Sequence, residues 1–206
     1  MFFPLFDDNP TIKRPIITWI LIAVNLVVWL VLQGAGLDEE ALEASIELFG
    51  FPPGELLLPL SIGSLFEFLF FGLTSMFTHG SWIHLLGNLW FLWLLGNNVE
   101  DSMSRTRFLI MYLLCGYSGC LAHAVITSDA GLFGASGAVS GISAAYLVLY
   151  PKCRIYTALV VIRFIMIFRI PAFLFVGLMS ILDIASVLFD ESSDVSHWAH
   201  IGGLLS

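Results

Sequence analysis

Basic residues in this chain occur only outside the long apolar stretches, and their positions place all of them on one side of a membrane that those stretches would cross. The apolar stretches cover residues 16–33, 82–97, 108–127, 133–150, 170–189 and 196–206. Successive connections lie on opposite sides of a membrane, and all 8 Lys and Arg fall at the N-terminus or in the second and fourth connections. Connections rich in Lys and Arg stay in the cytoplasm. We therefore expect six transmembrane spans and a cytoplasmic N-terminus.

The composition excludes several other classes of protein. Apolar residues make up 58% of the chain and charged residues 12%, whereas a soluble domain is about half apolar and a quarter charged. The 8 basic against 16 acidic residues exclude a nucleic-acid partner, and 3 cysteines are too few for a disulfide scaffold. We expect a single all-α polytopic domain over residues 1–206 that has the lipid bilayer around it.

Two further apolar runs are interpreted as connections rather than spans. Residues 56–77 are long enough to cross, but a seventh span would turn Arg105 and Arg107 to the outer side. Glu67 within this run also favours a loop that is partly embedded in the membrane over a lipid-exposed helix. The shorter run at 155–168 is assigned to a cytoplasmic connection.

Polar residues cluster where the second, fourth and sixth spans enter the membrane from the outer, acidic side. Ser136 lies seven residues, and His200 six residues, after the outer acidic residue that precedes it. At 1.5 Å per residue, both lie roughly 9–10 Å below the outer surface. His84 and Asn88 are four residues apart, on one face of the second span. Ser136 and His200 can form a nucleophile–base pair, while His84 and Asn88 can donate to an oxyanion. This set predicts acyl transfer, most simply peptide-bond hydrolysis.

Small residues recur on the spans that carry this pair. Gly137, Gly141 and Ala145 are four residues apart on the fourth span, and Gly202 and Gly203 follow His200. Small residues at this spacing let membrane helices approach closely. We expect the fourth and sixth spans to pack against each other.

These motifs are similar to those of the rhomboid intramembrane serine proteases. The resemblance runs from residue 15 to the last residue, and its specific parts are residues 74–80, 84–88, 134–141 and 199–203. It implies a six-helix rhomboid bundle with a large first outer loop and a Ser–His dyad that lacks a third acid. It also implies cleavage of the transmembrane segments of other proteins, from an active site that opens to the extracytoplasmic side.

The resemblance also assigns a role to individual residues. It implies that Ser136 is the nucleophile and His200 the general base, with His84, Asn88 and the Ser136 backbone N–H in the oxyanion hole. It implies that His79 is a buried histidine anchoring a loop. The structural glycines of the motifs are Gly134, Gly137, Gly141 and Gly203. No cofactor and no metal are expected, the substrates are membrane proteins with helix-destabilising segments, and the expected location is the bacterial inner membrane.

Several positions depart from the family pattern. Phe70 and Phe71 stand where many members carry a Trp-Arg pair, and Ser140 stands where some carry a Tyr. On the fifth span, Met179 and Asp183 replace a Trp and a Gln, and we expect Asp183 to have a structural or gating role. The sixth apolar stretch is shorter than the ~20 residues of a span, so we expect it to continue in the complete protein.

Two other classes of function remain as alternatives. A catalytically inactive rhomboid-like protein would bind membrane clients without cutting them, although such relatives typically lose the nucleophile or the base. A metal site or a proton path would use His197 and His200, together with His79 and His84. The chain has no His-Glu-x-x-His pattern and no carboxylate at that depth, so zinc chemistry is disfavoured.

Overall fold

Helices lie where the apolar stretches predict them. The structure is a computed structural model that describes residues 2–52, 61–126, 131–161, 164–189 and 197–206. Its α-helices are α1 (Ile16–Val27), α2 (Glu39–Phe49), α3 (Ile62–Ser75), α4 (Trp82–Ser102), α5 (Arg105–Ile126), α6 (Ser136–Leu149), α7 (Ala172–Phe189) and α8 (His197–Leu204). Each of the six predicted spans overlaps one of these helices, and the chain is mostly helical.

Length and apolar composition mark one described helix, α5, as able to cross a membrane. The shorter apolar helices cover residues 16–32, 62–75, 136–149 and 172–182. The first of these continues from α1 through a π-helical turn at Val28–Leu32. The six-span arrangement therefore stays a prediction.

The first loop contains two helices of its own. Asp38 caps α2 by accepting from the backbone N–H of Ala41 at 3.1 Å, and Ser61 and Ser64 form a capping box at the start of α3. At 14 residues, α3 is as long as α6, so the interpretation of residues 56–77 as part of a loop stays a prediction.

The expectation of an all-α chain is wrong in two segments, which form one antiparallel sheet. Its strands are β1 (Phe2–Asp7), β2 (Arg154–Val161) and β3 (Phe164–Pro171), in the order β1-β2-β3. Their residues are mostly aromatic or β-branched, and such side chains favour strands. The run 155–168 that the sequence assigned to a connection is the hairpin of β2 and β3.

The sheet runs alongside α4. Trp90 Nε1 donates to the carbonyl of Pro4 at 2.8 Å, and Asn98 Nδ2 donates to the Asp7 carboxylate at 2.7 Å. Tyr146 on α6 also donates to this carboxylate, and burial raises the pKa of Asp7. Because Trp90 and Asn98 are about two helical turns apart, β1 follows α4 along its side.

The N-terminus of α1 is fastened to the C-terminal end of α4. The Glu100 carboxylate accepts from the backbone N–H groups of Ile17 and Thr18 at 2.9 and 2.8 Å. A carboxylate at this position satisfies free N–H groups and complements the helix dipole. Asp101 accepts from the N–H groups of Ile12 and Lys13, and the hydrogen bond from Ile12 is the main cause of its lowered pKa.

Helices α5, α6 and α8 cross at glycines. A Cβ atom added to Gly203 of α8 would overlap the carbonyl oxygen of Gly137 of α6, and one added to Gly141 would overlap the Cys115 side chain of α5. A Cβ on Gly119 of α5 would lie 2.8 Å from the Ala199 carbonyl oxygen. At Gly203 and Gly119 the neighbouring atoms belong to the backbone of the facing helix, so α6 and α8 pack at close range.

Candidate active site

One cavity of about 320 Å³ is lined by the four residues that the sequence places at a common depth. His84 and Asn88 come from α4, Ser136 from α6 and His200 from α8. The structure therefore brings together side chains from three helices. Ser140 of α6, together with Met179 and Ser180 of α7, adds to the same lining.

Ser136 is the first residue of α6, three residues later than the expected start of the fourth span. Ala135 precedes it as the N-cap and supplies no side-chain hydrogen bond. The N–H groups in the first turn of a helix have no acceptor within the helix, and the helix dipole places partial positive charge there. The Ser136 end of α6 therefore favours a negatively charged group beside the hydroxyl.

Gly134 brings the chain close to α4 just before Ser136. Its φ of +117° is a conformation that L side chains rarely adopt. A Cβ atom at this position would lie 2.5 Å from His84 Nε2 and 3.5 Å from Asn88 Nδ2. Glycine is therefore required here both for the backbone conformation and for space beside the two α4 side chains.

Asn88 carries a buried donor. Its side chain is 8% exposed, and its Nδ2 has no hydrogen-bond partner within the described residues. A buried donor without a partner costs about 1–3 kcal/mol. A group that accepts from Nδ2 inside the cavity would recover that free energy.

The imidazoles of the site form two pairs of rings. The His84 ring lies 5.2 Å from that of His79 between centroids, and the His200 ring lies 5.9 Å from that of His197. Ser81 caps α4 by accepting from the backbone N–H of His84 at 3.2 Å. His84 thus sits in the first turn of α4 and faces the cavity next to the Gly134 backbone.

The loop before α4 is held through its backbone. Gln33 Nε2 donates to the carbonyl of His79 at 2.7 Å, and its Oε1 accepts from the N–H of His79 at 2.9 Å. The resemblance implies a loop-anchoring role for His79 itself, and in the structure Gln33 supplies these two bonds. The His79 ring is fully buried, and burial lowers the pKa of His79 to about 3.

Sequence reasoning missed Gln33, whose amide is the polar end of the first apolar stretch. It also missed two contacts that hold the segment before Ser136. Phe51 and Leu132 exchange two backbone hydrogen bonds of 2.8 Å, and the N–H of Gly134 donates to the Ser75 carbonyl at 2.8 Å. These bonds join the first loop to the start of α6.

The positions that depart from the family pattern lie in different places. Phe70 and Phe71 form an edge-on ring pair on α3, 5.1 Å apart, while Ser140 and Met179 line the cavity. The side chain of Asp183 lies outside the described residues. So do several outer acidic residues, namely Glu55, Asp129, Asp190, Glu191 and Asp194.

Within the described residues, no group of three or more His, Cys, Asp or Glu side chains is placed to hold a metal ion. The metal-site alternative therefore gains no support from this part of the chain. The paired rings of His197 and His200 are two potential ligands on one helix, and a closed metal site needs about four.

Comparison with known proteins gives matches of one kind. A family model described as the Rhomboid domain matches residues 68–206. RHOMBOID-like protein 6, mitochondrial, of Arabidopsis thaliana is 29% identical over 135 residues, which are 65% of this chain and 40% of that protein. Rhomboid-like protein 11, chloroplastic, of the same plant is 38% identical over 72 residues, which are 34% of this chain and 26% of that protein.

The matched part of the chain thus spans less than half the length of either relative. The names of both relatives refer to organelles, and they do not support the expectation of a bacterial inner membrane.

Proposed function

The chain belongs to the rhomboid family, and on that basis we propose that it is an intramembrane serine endopeptidase with a Ser136–His200 dyad. It hydrolyses peptide bonds in or near the transmembrane segments of other membrane proteins. The observation that carries the proposal is the single cavity lined by Ser136, His200, His84 and Asn88. These residues come from three helices, and each fits a separate role in acyl transfer.

In the proposed reaction, Ser136 Oγ attacks the scissile carbonyl carbon while His200 takes the hydroxyl proton. The carbonyl oxygen becomes an oxyanion, which accepts from Asn88 Nδ2, from His84 and from the Ser136 N–H. His200 then returns the proton to the leaving amine as the C–N bond breaks. Water attacks the acyl-enzyme in the same way and releases Ser136 and the carboxylic acid product.

The unpaired Asn88 donor supports the assignment of the oxyanion site. A donor already in position costs no reorganisation when negative charge develops on the substrate oxygen. The first turn of α6 and the α4 side chains approach each other through Gly134. His84 and Asn88 therefore lie beside the Gly134 backbone, two residues before the nucleophile.

The membrane arrangement belongs to the same proposal. The six helices in the predicted spans form a single membrane domain, with the N-terminus in the cytoplasm and the cavity open to the outer side. A helical substrate hides its scissile carbonyl in its own hydrogen bonds and must unwind before it is cut. Substrates with Gly, Ser or Pro near the outer surface unwind most readily.

Labelling with a serine-directed fluorophosphonate tests this proposal against a client-binding rhomboid-like protein. We expect covalent labelling at Ser136 in the parent and its loss in both Ser136→Ala and His200→Ala. Ser140→Ala is the matched control, because this serine lines the same cavity one turn further along α6. It should label like the parent. Absence of label from a folded parent would favour the inactive, client-binding class.

A further inference from the structure

The end of the first predicted span has an unusual backbone. Val28–Leu32 form a π-helical turn, and such turns are frequent at functional sites. Beyond it lie three consecutive residues with left-handed φ values, +57° at Gly34, +57° at Ala35 and +65° at Gly36. Left-handed φ at a residue other than glycine is strained, and such strain clusters at functional sites. Gln33 lies between these two turns, and its side chain is fully buried.

Packing against α4 fixes the position of the π-helical turn. Trp29 of this turn is fully buried in a cluster with Leu85 and Leu89 of α4. Its ring also meets the ring of Trp82 edge-on, with 5.4 Å between the centroids. These contacts lie in about the first two turns of α4, which also contribute the two proposed oxyanion side chains. Gln33 is therefore placed by the same part of α4 that carries the candidate oxyanion site.

Gln33 makes two hydrogen bonds to a single residue. Its Nε2 donates to the His79 carbonyl at 2.7 Å, and its Oε1 accepts from the His79 N–H at 2.9 Å. Both side chains are fully buried, and a buried polar group that loses its partner is costly to the fold. The two bonds therefore fix the backbone of His79 in both position and orientation.

The ring of His79 packs on the ring of His84. The two imidazoles meet edge-on, with 5.2 Å between centroids and 74° between planes. The ring of Phe133 lies 6.0 Å from that of His84. The backbone of Gly134 comes so close that a Cβ atom there would lie 2.5 Å from His84 Nε2. His84 is therefore enclosed by three groups, and one of them is the residue that Gln33 holds.

We propose that Gln33 is a positioning residue for the oxyanion site, and that it acts by holding His79 against the His84 imidazole. This inference rests on the proposed protease activity, in which His84 donates to the substrate oxyanion. A donor of this kind stabilises the transition state when it is already directed at the developing charge. Gln33 does not line the described cavity, so its effect on the reaction passes through the two histidines.

A purely structural role for Gln33 leads to a different expectation. Loss of its bonds would then lower the stability of the first loop and leave the reaction unchanged in the molecules that remain folded. Tyr117 of α5 provides a matched comparison within the same loop. Its hydroxyl donates to the Leu69 carbonyl of α3 at 2.7 Å, and its ring packs on Phe68 at 5.7 Å between centroids. Tyr117→Phe removes this hydrogen bond and keeps the ring.

Steady-state kinetics on a single-span substrate compare Gln33→Met with Tyr117→Phe. Gln33→Met keeps the length of the side chain and removes both hydrogen bonds to His79. It should lower kcat about 10- to 100-fold, because a displacement of about 1 Å at a catalytic group has an effect of this size. KM should change little, since the oxyanion forms only in the transition state. Tyr117→Phe should retain the parent kcat even if its melting temperature falls as far.

A double-mutant cycle tests whether the effect passes through His84. His84→Ala alone should lower kcat about 100- to 1,000-fold. Adding Gln33→Met to it should lower kcat less than about twofold further, because the imidazole that Gln33 positions is already absent. Gln33→Asn keeps the amide but is one methylene too short to make both bonds. It should show the same dependence on His84, and it replaces Gln33→Met if that variant does not fold.

Histidine spectra of the folded chain provide a measurement that does not depend on cleavage. In a chain labelled with ¹⁵N-histidine in detergent, Gln33→Met should shift the imidazole signals of His79 and His84. Tyr117→Phe should leave both signals in place. The variants His79→Gln and His84→Ala assign the two signals by removing them.

The inference is overturned if a folded Gln33→Met variant retains the parent kcat. It is also overturned if the variant lowers kcat equally with and without His84, or if the His84 signal does not move. A chain whose His84 signal shifts in Gln33→Met but whose parent cleaves no substrate would retain the positioning of His84 and contradict the protease activity. The failure of the inference and the failure of the proposed function are thereby distinguished.

Discussion

Asn88 and Gly134 shape the candidate oxyanion site from two different elements. Asn88 contributes a buried donor with no partner in the described part of the chain. Gly134 contributes the space that lets the backbone before Ser136 approach His84 and Asn88. Asn88 supplies a hydrogen bond to the negative charge that develops on the substrate oxygen. Gly134 determines where that oxygen can lie.

Asn88→Ala should lower kcat about 100- to 1,000-fold, the usual effect of removing one oxyanion-hole donor. KM should change little, because the lost hydrogen bond is made mainly in the transition state. Steady-state kinetics on a single-span substrate measure both constants. A rise in KM with an unchanged kcat would instead assign Asn88 to ordinary substrate binding.

Gly134→Ala should reduce kcat by about 100-fold or more through displacement of His84, since the new methyl group overlaps the His84 ring. The φ of +117° adds backbone strain to this overlap. Gly177→Ala is the matched control, because a Cβ atom there meets nothing within 4 Å. Equal activity in both variants would contradict the proposed role of Gly134.

The sequence was sufficient to predict that Ser136, His84, Asn88 and His200 lie together, because helix periodicity and depth below the last charged residue are local properties, and the four residues line one cavity. It was not sufficient to find Gln33. The amide of Gln33 bonds to the backbone of residue 79. No spacing rule connects two positions so far apart in the sequence. The residues that could not be predicted from the sequence are therefore those that position other residues.

At the scale of elements, α6 and α8 carry the proposed dyad, and their close crossing depends on Gly137 and Gly203. Gly203→Ala should lower the stability of the folded protein by about 1–3 kcal/mol, the usual cost of overpacking. Gly177→Ala should raise stability slightly, because alanine is the better helix former. Thermal unfolding in detergent measures both effects, and equal melting temperatures for the two variants would contradict the close crossing.

The loop held by Gln33 should respond to acid through His79. The pKa of His79 is lowered to about 3 from the ordinary value of 6.5, so between these values the unfolded chain binds a proton that the folded chain does not. Stability is therefore full above pH 6.5 and falls below it, by about 1.4 kcal/mol per pH unit.

His79→Gln removes this one titration and leaves the other histidines in place. Melting temperatures between pH 7 and pH 5 should fall less steeply in this variant than in the parent. Parallel curves for the two proteins would show that His79 does not contribute to the acid sensitivity.

The helices could be predicted and the sheet could not, for a physical reason. A continuous apolar run predicts a helix from local sequence alone, and all six expected spans contain a helix. The sheet depends on pairing residues 2–7 with residues 154–161. These segments are far apart in the sequence, and no local pattern in either one identifies its partner. The run at 155–168 is rich in β-branched and aromatic residues, and that was the one local signal of a strand.

At the scale of the whole molecule, the charge sorting of the sequence leads to the proposed membrane arrangement. The acidic residues on the same side as the Lys and Arg residues form hydrogen bonds in the structure. Glu100 and Asp101 hold the N-terminal segment, while Asp7 and Asp8 bind groups of α4, α6 and β2. These four acidic residues stabilise contacts within the fold. The basic residues and the acidic residues of the outer connections are distributed as expected of a chain that crosses a bilayer.

Cleavage of single-span membrane proteins reconstituted with the chain in liposomes tests the central claim most directly. The parent and Ser140→Ala should cut a substrate whose transmembrane segment contains Gly or Pro near its outer end, and mass spectrometry should place the cut in that outer half. Ser136→Ala should produce no cut. Equal cleavage by Ser136→Ala, or a cut in a cytoplasmic segment, would contradict the account.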